Sequence, residues 1–154
     1  MYLDKAKARF AELKPLERAG VTACTEQEVA ALEQQLNVRL PGAYREFLLW
    51  MGKDGGDLLR GTDCSYEIIP KLEPWAVELL AENGLSHLLP GDAFVFLMHQ
   101  GYQFMFFRLS EGEDPAVYHF DQTSHQESAT TAASCFSVFL LGLIEDYAQA
   151  AQEL

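Results

Sequence analysis

Hydrophobic positions along the chain follow two rhythms, one helical in the first third and one β-like in the middle. Leu3, Ala6, Phe10 and Leu13 make a narrow apolar stripe from Met1 to about Lys14, and Pro15 ends it. Residues Gly20 to Thr25 read as a linker. Thr25 and Glu28 have the spacing of a capping box, in which the hydroxyl accepts the Glu28 N–H and the carboxylate reaches back. Val29, Leu32 and Leu36 follow at helical spacing, so a second helix runs to about Asn37. A tight link, Val38-Arg39-Leu40, leads into the stretch LPGAYREFLLWMGKDGG, Leu40 to Gly56. Pro41 suits the first helical position. Tyr44, Phe47, Leu48 and Met51 recur at i, i+3, i+4 and i+7. Gly52 can take the left-handed conformation that closes a helix, and Asp54-Gly55-Gly56 is a turn signal. The short connection makes these two helices a hairpin.

Beyond Gly56 the rhythm changes. Asp57–Gly61 reads as a short strand and turn, and Tyr66–Ile69 as a strand. Pro74–Asn83 reads as a helix with Trp75, Leu79 and Leu80 apolar and Gly84 as its stop. After the turn Pro90-Gly91-Asp92 come two aromatic, β-rich runs, Phe94–Met98 and Gln103–Leu109, joined by His99-Gln100-Gly101-Tyr102. That spacing predicts a β-hairpin, and its nearly continuous apolar content predicts strands covered on both faces. Glu111–Pro115 is an acidic turn, Ala116–Phe120 a third strand, and Asp121–Thr131 a polar loop. Phe136, Phe139, Leu140, Leu143, Ile144 and Tyr147 mark a terminal helix from about Ala133 to Ala150. The expected architecture is α+β: N-terminal helices, a central antiparallel meander of about four to six strands, and a C-terminal helix packed on the sheet. At 154 residues, one domain spanning 1–154 is expected.

Composition adds little until charge is divided along the chain. No apolar run reaches the roughly 18 residues of a membrane span, and the first residues lack the apolar core of a signal peptide. Three widely spaced cysteines, Cys24, Cys64 and Cys135, predict reduced thiols rather than a disulfide framework, so a cytoplasmic protein is expected. Residues 1–53 carry eight Lys/Arg and seven Asp/Glu, whereas residues 54–154 carry three against sixteen. Such a field repels nucleic acid and anionic membranes and steers basic partners.

Catalytic chemistry finds no foothold in these residues. His119-x-Asp121 with His125 matches no standard metal spacing, and His99 falls at the hairpin tip, where a turn or partner contact is expected. None of the three cysteines has a local setting that lowers a thiol pKa. No nucleophile elbow, P-loop or dinucleotide fingerprint occurs. No catalytic residue, metal or cofactor is expected.

The run TEQEVAALEQQLNVRLPGAYREFLLWMGKDGG resembles the signature of the SUKH superfamily, in its Smi/Knr-like branch. The resemblance is carried by Thr25, Glu26, Glu28, Leu40, Pro41, Tyr44, Phe47, Leu48, Gly55 and Gly56. Asp54 stands where the family usually places asparagine, after an apparent extra Gly52-Lys53. The segments DAFVFLMHQGYQFMFFRL and SCFSVFLLGLIEDY are similar to the family's hairpin and terminal helix. The resemblance implies a non-enzymatic binding function. Bacterial members are similar to immunity proteins that silence a cognate polymorphic toxin, and fungal relatives to hubs regulating cell-wall synthesis through disordered arms. The absence of such arms here favours the immunity form. A nuclease toxin must be basic to hold phosphate, so an acidic surface can occupy its site. The expected interface draws on Asp54, Asp57, Asp63, Glu111, Glu113, Asp114 and Asp121, with Tyr102 as aromatic anchor and His99 beside it. The expected partner is a basic toxin domain or another protein, with no nucleic acid and no membrane. The alternative is a regulatory or scaffolding module for an endogenous protein.

Overall fold

A computed structural model describes residues 1–124 and 127–153 of the chain. The N-terminal stripe forms α1 (Asp4–Ala11), shorter than the apolar pattern. The stripe is nonetheless real, because Leu3, Ala6, Phe10 and Leu13 are all buried. Glu46 anchors the start of α1 by accepting the N–H groups of Tyr2 and Leu3 at 2.9 and 3.1 Å. Helix α2 (Glu26–Leu36) begins with the full Thr25–Glu28 capping box and ends at Asn37, which is left-handed at φ 53°.

Helix α3 (Gly42–Met51) starts one residue later than expected, with Pro41 as its flanking residue at φ −59°, ψ 147°. Proline offers no side-chain cap, so the first helical N–H groups look elsewhere for partners. Gly52 is right-handed (φ −67°), not left-handed as the sequence suggested. Space explains the glycine instead: a Cβ there would lie 2.6 Å from the Leu48 carbonyl oxygen and 2.7 Å from Cys24 Sγ. The linker and the Asp54 turn pair with each other as a ribbon, β1 (Val21–Thr22) with β2 (Asp54–Gly55). Two-residue strands carry no periodicity to read.

Two further expectations fail in the next segment. Residues Gly56–Leu59 form a 3-10 turn rather than a strand, followed by a short strand β3 (Thr62–Asp63). Tyr66–Ile69 is not a strand. It turns into α4 (Ile69–Glu82), which starts five residues before the predicted Pro74 and runs straight through it. An interior proline removes one helical bond and costs about 3 kcal/mol. Burial of Ile69, Leu72, Ala76, Leu79 and Leu80 offsets that loss, so tertiary packing overrides local preference.

The hairpin forms as expected. Strands β4 (Ala93–His99) and β5 (Gln103–Arg108) are joined through Gln100 and Gly101, at φ 52° and 78°. Positive φ at both central residues matches the twist of the flanking strands. Strand β6 (Val117–Asp121) follows. Then comes β7 (Thr130–Ala133), which begins in the last two residues of the expected loop Asp121–Thr131 and reaches Ala133, where the terminal helix was expected to start. Among the described residues these strands form an antiparallel meander in the order β3-β4-β5-β6-β7. Helix α5 (Phe136–Gln152) and α3 cover one face, and α4 packs on the other. The fold is α+β.

A register shift at Phe96 sets the central packing. It lets Phe96 meet Phe136 and Phe139 while Leu97 faces the same side of the sheet. Tyr44 of α3 is fully buried and contacts the rings of Phe47, Phe94, Phe96, Phe107 and Phe136. Burial pushes its phenol well above the ordinary value, and its hydroxyl finds no hydrogen-bond partner among the described residues. The helix highlighted by the sequence is therefore the centre of the aromatic core.

Candidate partner-binding surface

The meander places two rows of residues side by side at the hairpin-tip end of the sheet. Thr62, His99, Gln103 and Asp121 pair across one row, and Asp63, Met98, Phe104 and Phe120 across the next. Successive side chains on a strand point to opposite faces, so the two rows serve two different surfaces.

On the α4 side lies a groove of about 250 Å³ lined by Asp63, Trp75, Glu78, Glu82, Met98 and Gly101. Trp75, Glu78 and Glu82 stand at i, i+3 and i+7 of α4, which is one face of a helix. Trp75 is 39% exposed, although its sequence context suggested part of the helix's apolar face. Asp63, Glu78 and Glu82 make no ion pair or hydrogen bond through their carboxylates among the described residues, and no Lys or Arg lines the groove. On the α5 side is a cavity of about 210 Å³, walled by residues such as Leu97, Met105, Phe139 and Leu143 and rimmed by Thr62, His99, Gln103 and His119. The His119 imidazole donates from Nε2 to Gln103 Oε1 at 2.8 Å.

The expected interface residues divide into three groups. Asp63, His99, Tyr102 and Asp121 all lie at the hairpin-tip end of the sheet, Asp63 on β3 and Asp121 on β6. Of these only His99 and Tyr102 are seen to meet, edge to face at 6.1 Å. Hydrogen bonds from Thr123 hold the Asp121 carboxyl below its usual range. Asp54 and Asp57 sit on the β2 ribbon and the 3-10 turn. Asp54 accepts the Gly56 N–H at 2.8 Å, while Asp57 pairs with Arg60 at 3.0 Å and accepts the Tyr147 hydroxyl at 2.8 Å. Burial, then Asp57, pushes Tyr147 up to about 12.

Glu111, Glu113 and Asp114 lie at the opposite end of the sheet and work inside the fold. Glu113 Oε2 accepts the Gly42 N–H at 2.8 Å, and its carbonyl accepts the Ala43 N–H at 2.9 Å. Asp114 accepts the Ser137 N–H at 2.9 Å and the Ser137 hydroxyl at 2.6 Å. One acidic turn thus caps both α3 and α5, whose flanking Pro41 and Cys135 make no side-chain cap bond. Glu111 accepts the Tyr118 hydroxyl at 2.7 Å and raises its pKa.

The sequence missed Trp75, Glu78 and Glu82. Their i, i+3, i+7 spacing was visible, but its meaning depended on an α4 long enough to lie beside β3 and the hairpin. The cysteines offer no reactive thiol at the core. Burial, then Glu28, pushes Cys24 up to about 11, and burial, then Asp63, pushes Cys64 to about 12. Among the described residues no group of His, Cys, Asp and Glu is arranged to hold a metal ion, and no helix is long and apolar enough to cross a membrane. His125 lies outside the described residues.

Helices on both faces of an antiparallel meander define an α+β fold, and one sheet end carries three carboxylates without an ion pair or hydrogen bond among the described residues beside an exposed indole. Residues 23–142 match the SMI1 / KNR4 family (SUKH-1), and the chain belongs to that family. A comparison with curated proteins gave no match.

Proposed function

We propose that this domain is a bacterial immunity protein that binds and neutralises a basic toxin domain, a nuclease being the best fit, without catalysing a reaction. Family membership supports protein binding as the general role. The observation that carries the finer reading is the α4-side groove: among the described residues it has three carboxylates without an ion pair or hydrogen bond, an exposed Trp75, and no Lys or Arg in the lining. Carboxylates held in solvent by the fold attract a basic surface over distance, and an indole face adds cation–π contact with Lys or Arg. His99 and Tyr102 lie beside the groove at the hairpin tip, and Asp121, whose carboxylate accepts from Thr123, lies on the His99 row. Asp54 and Asp57 flank this surface, whereas Glu111, Glu113 and Asp114 belong to it only if a partner reaches the far end of the sheet.

The test is co-expression with the product of the adjacent gene, followed by binding measurements on the purified pair. Protection from toxicity, with association slowed by added salt, is the expected result. A neighbouring toxin that neither binds nor is silenced overturns the immunity role.

A further inference from the structure

The α5-side cavity plays no part in the charge-based reading, yet it shares residues' neighbours with the carboxylate groove. Thr62 and His99 pair and line the cavity; Asp63 and Met98, the next residues on the same two strands, pair and line the groove. Strand β3 is two residues long and forms the edge of the sheet, so only this edge and the hairpin tip separate the two hollows.

The cavity's size and chemistry restrict its occupant. Its volume of about 210 Å³ is below the range of roughly 300–1,000 Å³ taken by drug-sized ligands, so it suits one large side chain. Leu97, Met105, Phe139 and Leu143 supply apolar walls. At the rim, Gln103 Oε1 is occupied by His119, while the Gln103 amide N–H groups have no partner among the described residues. An aromatic ring, with or without a hydroxyl to accept from Gln103, fits that combination. The groove behind it selects the opposite chemistry, because its lining holds three carboxylates and an indole but no Lys or Arg.

We infer that the partner straddles the hairpin tip. One aromatic side chain of a partner segment enters the α5-side cavity, and a Lys or Arg of the same segment enters the Asp63–Glu78–Glu82 groove. This rests on the protein-binding role proposed above and adds the composition of the segment recognised. Buried aromatic anchors dominate interfaces of this kind, with charged contacts setting rate and register.

A random peptide library displayed on phage and selected on the full chain tests the inference without knowledge of the natural partner. Peptides carrying both an aromatic residue and a Lys or Arg are the expected selection. Thr62→Phe and Leu143→Phe each fill the cavity from a different element, so one remains usable if the other unfolds. Each should weaken the selected peptides by about tenfold or more, and Glu78→Lys with Glu82→Lys should do the same from the groove. Peptides rich in Lys and Arg but without an aromatic preference, or bound equally by the filled variants, overturn the straddle and leave the charge reading standing. Aromatic peptides with no basic preference overturn the charge reading and the straddle together, as does a selection that enriches nothing.

Discussion

The two ends of the sheet are both acidic, and they use their acids in opposite ways. At the turn holding Glu111, Glu113 and Asp114, every carboxylate accepts a hydrogen bond from inside the fold, and two of them close the N-termini of α3 and α5. At the hairpin tip, Asp63, Glu78 and Glu82 make no such contact among the described residues. Three carboxylates stand at each end, so their number alone does not mark a binding face; at the capped end Arg39 also pairs with Glu113 at 3.6 Å. A carboxylate engaged by backbone N–H groups is part of the scaffold, while one left to solvent is available to a partner.

The largest expected effect tests what the two ends share. Phe47 is 5% exposed and packs on Tyr44 and Phe136. Phe47→Ala should cost about 3–5 kcal/mol in urea unfolding and weaken both ends together. Unchanged stability would show that the aromatic centre does not join them. Next comes the capped end: Asp114→Ala should cost about 1–2 kcal/mol, and adding Glu113→Ala a similar amount, read from the same unfolding curves. Neither should alter peptide selection at the tip. The tip should give the reverse pattern. Glu78→Lys with Glu82→Lys should change stability by about 0.5 kcal/mol or less, yet slow association with a basic partner by about tenfold or more at low salt. If these lysines destabilise the fold as much as loss of the caps does, the distinction between the ends collapses.

Much of this organisation was legible in the sequence, and the losses have identifiable physical causes. The α3 stripe, the Thr25–Glu28 box and the hairpin are local patterns, and all three appear where their spacing puts them. The early start of α4 was hidden by Pro70 and Pro74, since local propensity argues for an interruption that packing of Ile69 and Leu72 overrules. Strand β7 was hidden because Thr130–Ala133 is an exposed edge without alternation; its pairing with β6 defines it. The acidic turn was legible as charge but not as a cap. Nothing in Glu113 or Asp114 reveals that two helices begin beside them, because those contacts span 71 and 23 residues. For the same reason the groove could not be assembled in advance: Asp63 and Glu82 meet only after β3 and α4 are placed.

Acid titration separates scaffold carboxylates from available ones more finely than any single charge reversal. Asp92, at the capped end, accepts from the Ser110 hydroxyl and N–H and from Arg108 Nε at 2.8 Å. The Ser110 hydroxyl, followed by Arg108, holds its carboxyl below the usual range. The folded protein therefore binds this proton less tightly than the unfolded chain. The stabilisation is present above the unfolded value of about 3.9 and fades as pH falls through the lower folded value. Asp92→Asn should reduce stability at neutral pH by about 1 kcal/mol or less and flatten the decline below about pH 4. Asp121, held down by Thr123, contributes in the same window from the tip side, so Asp121→Asn measured alongside separates the two ends. An acid limb untouched by both substitutions, but removed by Glu78→Lys and Glu82→Lys, would invert the assignment of structural and available acids.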